Sequence, residues 1–100
     1  MKTLDAVDTF ATLAGEWQQH CDAVMFSSNV DDYLNADSFR KIVAIGLPAI
    51  PHIMESYAKD QLPWGFVIQE ITGEEFIRDK NNFSPAAVKK HCFDWWASQP

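Results

Sequence analysis

Residues 41–75 read KIVAIGLPAIPHIMESYAKDQLPWGFVIQEITGEE, and the spacing of their apolar side chains decides the fold class. Ile50, Ile53, Met54 and Tyr57 fall at offsets of 3, 4 and 7, and Trp64, Val67, Ile68 and Ile71 repeat that spacing. Each residue advances about 100° around an α-helix, so each set lines one helix face. The short break Gln61-Leu62-Pro63 between them predicts a helical hairpin whose two faces pack on each other. Gly46-Leu47-Pro48 and Thr72-Gly73 punctuate its ends. Nothing in the stretch carries recognisable chemistry.

Upstream, Phe39, Ile42, Val43 and Ile45 form another helix, capped by Asn35 or Asp37 and closed by Gly46. Before it, Ser27-Ser28-Asn29 and Asp31-Asp32 break the pattern, and Asn29 or Asp31 caps a short turn holding Tyr33 and Leu34. The first helix is expected over residues 4–25. Val7, Phe10, Ala11, Ala14, Trp17, Gln18, Cys21 and Met25 cluster on one side of it, with Asp5, Asp8, Thr9, Thr12, Glu16 and Gln19 opposite. Gly15 costs roughly 1 kcal/mol against Ala in a helix interior, so it marks a close crossing or the polar rim. Downstream, residues 74–83 read as a polar surface loop around the anchors Phe76 and Ile77. Ser84-Pro85 is an N-cap followed by proline at the first helical position, opening a last helix that runs to about residue 98. The expectation is a single helical domain over residues 1–100. Its fold class is all-α, an irregular HEAT-like bundle of four main helices plus a short turn.

Composition narrows the function classes. Hydrophobic residues at 47% and charged residues at 22% match a globular chain and exclude a disordered tail. A formal charge of −6 gains nothing from counterion release, so nucleic acid is not an expected partner. Asp5 and Asp8 interrupt the N-terminal stretch where a signal peptide needs an uncharged apolar core, and no apolar run approaches a membrane span. The expected location is cytoplasmic, with no membrane partner. Two cysteines are too few for a disulfide framework.

The order I-V-x-I-G-x-x-A-[IL]-P-x-I, then a Trp, then I-T-G-E, resembles a family of small uncharacterised bacterial all-helical proteins. In that family a HEAT-like glycine-proline helix leads into a W-x-x-x-[LI]-x-x-I-T-G helix, and a tryptophan-rich helix closes the chain. The matching positions here are Gly46, Ala49, Ile50, Pro51, Trp64, Ile68, Ile71, Thr72, Gly73, Trp95 and Trp96. The resemblance spans roughly residues 39–75 well and the last helix loosely. It implies a helical fold and an accessory, mobile-gene role, and it supplies no catalytic residues. Here Glu75-Phe76 follows I-T-G-E where the pattern more often continues to proline.

Each chemically suggestive group has a plain structural competitor. His20-Cys21 and His91-Cys92 together offer two imidazoles and two thiolates, the ligand types of a zinc site. Adjacent helical residues diverge by about 100°, however, so one pair does not readily aim both ligands at one metal. Cysteines in the core with flanking histidines is the favoured reading, and no metal or cofactor is expected. Asp31-Asp32 and Glu74-Glu75 read as solvated carboxylates near helix ends rather than a cation or acid/base site. Arg40-Lys41 and Lys89-Lys90 make no nucleic-acid stripe. The four Trp read as core, with an aromatic ligand pocket as the competing assignment.

The expected function is therefore non-catalytic: a protein-binding or self-associating module, with homodimerisation one form of it. No residue set combines nucleophile, base and orienting partner, so an enzyme is not expected. The alternative is a small-ligand or metal binder using the Trp-rich interior or the His-Cys pairs. The last helix supplies the candidate contact. Val88, Cys92, Trp95 and Trp96 form its stripe, and Phe93 widens the apolar arc to about 160°, more than one neighbour covers. Phe93, Trp96 and the nearby Phe83 are the expected interaction surface.

Overall fold

The computed structural model describes residues 6–27, 29–60, 62–80 and 82–99, with side chains described from Thr9 onward. Among them every regular element is helical: α1 (Ala6–Ala23), α2 (Val30–Leu34), α3 (Asp37–Ile45), a 3-10 turn (Leu47–Ala49), α4 (Ile50–Tyr57), α5 (Trp64–Thr72) and α6 (Pro85–Ala97). The chain is all-α. Five of these helices have eight residues or more where four were expected. Gly46 separates α3 from α4, and its backbone (φ 78°, ψ −149°) lies in a region essentially closed to residues with a Cβ.

The hairpin forms as its spacing requires. Ile50, Ile53, Met54 and Tyr57 of α4 and Trp64, Val67 and Ile68 of α5 are all buried. Gly65 and Phe66 are buried too, so α5 is covered on nearly every side and acts as the central helix. It packs on α3, α4 and α6, while α1 lies across α3. Gly73 closes α5 in the left-handed conformation (φ 79°) that favours glycine at this position.

Trp64 organises the core. Its ring meets Trp17 edge-on at 5.0 Å and Phe10 at 5.5 Å, which joins α1 to α5. Both indole N–H groups are satisfied: Trp64 Nε1 donates to Asp60 Oδ1 and Trp17 Nε1 to the Tyr33 carbonyl, each at 2.9 Å. Burying a ring of this size stabilises only because its one polar atom keeps a partner.

Local details depart from the sequence expectation. The α3 N-cap is Ala36, with no side-chain cap, because Asn35 terminates α2 and Asp37 pairs with Arg40 at 2.6 Å. That guanidinium, by hydrogen bond and charge, holds the Asp37 carboxyl below its usual range. The α1 face is Phe10, Leu13, Ala14, Trp17 and Cys21; Ala11 and Gln18 are exposed. Met25 is exposed because the helix ends at Ala23. Gly15 stands on the open rim, with nothing near a built Cβ. The helix crossing belongs instead to Gly65, where a Cβ would stand 2.6 Å from Val88 Cγ1. Leu4, Asp5, Ser28 and Gln61, and the side chains of Val7 and Asp8, lie outside the described residues.

Candidate binding groove

A groove of about 660 Å³ opens where the N-terminal ends of α5 and α6 meet the end of α4. Tyr57, Gly65, Phe66, Ile77 and Val88 form its inner wall. Leu62, Pro63, Phe83, Ser84, Pro85, Ala86 and Lys89 line it further, together with Val30 and Tyr33 of α2. A smaller depression of about 370 Å³ lies beside it, bounded by Phe76, Asn82, Ala87 and His91 among others. Phe83, Ile77, Ser84 and Val88 line both.

Local hydrogen bonds set these walls. The Asp60 carboxylate accepts from the Leu62 amide (3.0 Å) as well as from Trp64 Nε1, which fixes the α4–α5 turn and places Leu62 and Pro63 at the edge. Gln69 Oε1 accepts from the amides of Phe76 (2.9 Å) and Ile77 (2.8 Å), drawing an irregular loop onto α5. Ser84 Oγ accepts from the Ala87 amide (3.2 Å) and Pro85 follows it, so α6 starts with Ala86 and Lys89 at the rim and Val88 inward. Phe83 meets Phe66 edge-on at 5.4 Å. Because Gly65 has no side chain, α6 approaches α5 closely along the groove floor.

The walls are chiefly apolar, and Lys89 is the one charged side chain among the lining residues. Its Nζ lies 5.2 Å from the Tyr57 ring centroid and donates to the Asp60 carbonyl oxygen at 3.3 Å. Burial, helped by the charges of Cys92 and Asp60, raises the Tyr57 hydroxyl pKa well above its ordinary value, against a backbone hydrogen bond from Gly65. That hydroxyl therefore stays protonated through the physiological range.

Of the three residues expected at an interaction surface, Phe83 lines the groove. Phe93 is half-buried on α6 with its ring 5.7 Å from Tyr57, and Trp96 lies beside Trp95 at 6.2 Å. Phe93 and Trp96 border neither depression. Two helices, α4 and α5, flank α6, which accounts for its wide apolar arc.

Cys21 and Cys92 are buried free thiols, with pKa values pushed up by burial to about 11 and about 12. His20 Nε2 lies 2.6 Å from the Asp32 carbonyl oxygen, and His91 meets Phe76 edge-on at 4.9 Å. Among the described residues no three His, Cys, Asp or Glu converge to hold a metal ion. Asp31 pairs with Lys80 at 2.6 Å, and Asp32 accepts from Ser27 Oγ. Trp17 and Trp64 are fully buried in the core, and none of the four Trp lines the groove.

Among the described residues no helix is long and apolar enough to cross a membrane. The chain matches no family model, no curated protein and no solved structure.

Proposed function

We propose that this chain is a non-catalytic binding module that takes an apolar segment of a protein partner into the groove between α5 and α6. One observation carries the reading: apolar and aromatic walls with a single charged side chain at the rim. Such a surface gains from removing apolar area from water, at about 25 cal/mol per Å², while Lys89 orients what enters. The acidic chain, at −6, favours a protein over a nucleic acid. With this proposal go a bacterial accessory role, drawn from the resemblance at residues 39–75, and a cytoplasmic location, drawn from charge and hydropathy patterning.

A small apolar ligand is the competing occupant, because the groove volume lies inside the roughly 300–1,000 Å³ typical of ligand sites. Native mass spectrometry separates the two, since a resident ligand adds mass to the purified chain. The apolar probe anilinonaphthalene sulfonate tests the groove itself. Its fluorescence should rise with wild-type protein and fall sharply with Ala86→Trp, which fills the groove from an exposed rim position. Equal signal from both proteins contradicts the proposal.

A further inference from the structure

Resting on the groove reading, we infer that the groove's occupant is the Met25-Phe26 turn of a second copy of this chain. The exchange is reciprocal, each copy filling the other's groove. Phe26 is 95% exposed and Met25 is 58% exposed, so two large apolar side chains stand side by side in water. A lone exposed apolar residue is ordinary. This pair differs because its backbone is held in place. The Ser27 amide donates to the Val24 carbonyl at 2.8 Å, and the Tyr33 hydroxyl donates to the Met25 carbonyl at 3.0 Å. The turn therefore presents Phe26 on a fixed support, which lowers the entropy cost of docking it.

Tyr33 also links projection to recess. Its hydroxyl secures the Met25-Phe26 turn while the same residue lines the groove. With Tyr33 common to both, a two-fold axis that seats each projection in the other copy's recess closes the contact at two copies, where a head-to-tail contact would run on. Charge supports the same partner. Asp22 and Asp32 flank the turn and are exposed, with no cation paired to either among the described residues. Lys89 Nζ at the groove rim donates to a backbone carbonyl and lies over a ring face, with no carboxylate paired to it among the described residues. Bringing the acidic turn to the Lys89 rim pairs these charges across the interface.

The size of the contact sets its strength. An aromatic side chain buries on the order of 150–250 Å², so two exchanged Phe26 rings, even with an equal area of groove wall, stay at or below about 1,000 Å², short of the roughly 1,200–2,000 Å² buried by stable complexes. Net charge on each copy opposes association further. The dimer should be weak and reversible, with Kd on the order of 10–100 µM.

Sedimentation velocity from about 1 µM to about 1 mM brackets such a Kd. Phe26→Ser removes the projection and Ala86→Trp fills the recess, both at exposed positions. Each variant alone should dimerise on the order of 100-fold more weakly than wild type, since each loses both apolar contacts. A mixture of the two retains one intact contact, between the projection of one variant and the recess of the other. It should therefore form a heterodimer tighter than either homodimer. A wild-type chain that stays monomeric throughout, or a dimer indifferent to both variants, overturns the exchange. Probe fluorescence then separates the two claims: if Ala86→Trp still abolishes the signal, the groove reading stands without self-exchange. If the signal persists, both fall.

Discussion

Trp64 and Phe26 are large aromatic residues in two differently built parts of the molecule. Trp64 sits at the start of α5 with no exposed surface, contacts Phe10 and Trp17, and gives its N–H to Asp60. Phe26 is 95% exposed at the tip of the α1–α2 turn. The first ring stabilises the monomer by leaving water; the second leaves water only on association. The hairpin therefore carries stability, and on the exchange proposed above the turn and the groove carry recognition. Substitutions in the two regions should move different measurements.

The largest effect expected is at the hairpin. Trp64→Ala should destabilise by about 3–5 kcal/mol in urea denaturation, because it opens a cavity where three aromatic rings meet. A midpoint near wild type would break the contrast. Gly65→Ala should cost about 1–3 kcal/mol by overpacking against Val88. Combined with Val88→Ala, which clears the opposing methyls, its added cost should shrink. Simple additivity would show that the crossing is not the cause.

At Gly73 a Cβ meets nothing within 4 Å, so Gly73→Val should lose only backbone energy, about 1–2 kcal/mol. Gly73→Asn should lose less, since Asn tolerates the left-handed region. Equal losses would point to packing instead. The buried thiols add a pH effect that is absent near neutrality. Unfolded thiols ionise near 9.0, whereas folded Cys21 and Cys92 hold their protons to about 11 and about 12. The folded state then binds more protons than the unfolded one, so stability is whole below about pH 9 and declines as pH rises from there. Cys92→Ala should make that decline shallower, as read from denaturation midpoints between about pH 8 and 10. Smallest of all, Phe26→Ser should leave monomer stability within about 0.5 kcal/mol of wild type. A larger loss would place Phe26 with the hairpin rather than against it.

These two regions also differ in how far the sequence discloses them. The hairpin announces itself because its buried residues follow the helical period inside one short stretch, and Gly46, Gly73 and Ser84-Pro85 mark ends with residue types suited to them. The first helix is less legible: Leu13 belongs to its core and Met25 does not, because the helix stops two residues short of Met25. The groove draws on α2, α4, α5, α6 and the loop before α6, and no single segment carries its pattern. Phe83 was visible as an apolar residue near the last helix; Tyr33, Gly65 and Lys89 acquire their places only once the helices are packed. Asp60 and Gln69 were silent for a related reason. A side-chain acceptor for amides two to eight residues away leaves no periodic trace.

The most direct test of recognition at the groove is an isotope-filtered nuclear Overhauser experiment on a mixture of labelled and unlabelled chain. Cross-peaks should run from the Phe26 ring protons of one copy to the Ile77 and Val88 methyls of the other, and should vanish when Phe26→Ser replaces the unlabelled copy. If Ile77 and Val88 show contacts within their own chain alone, at concentrations where the chain is dimeric, the groove is not where the copies meet.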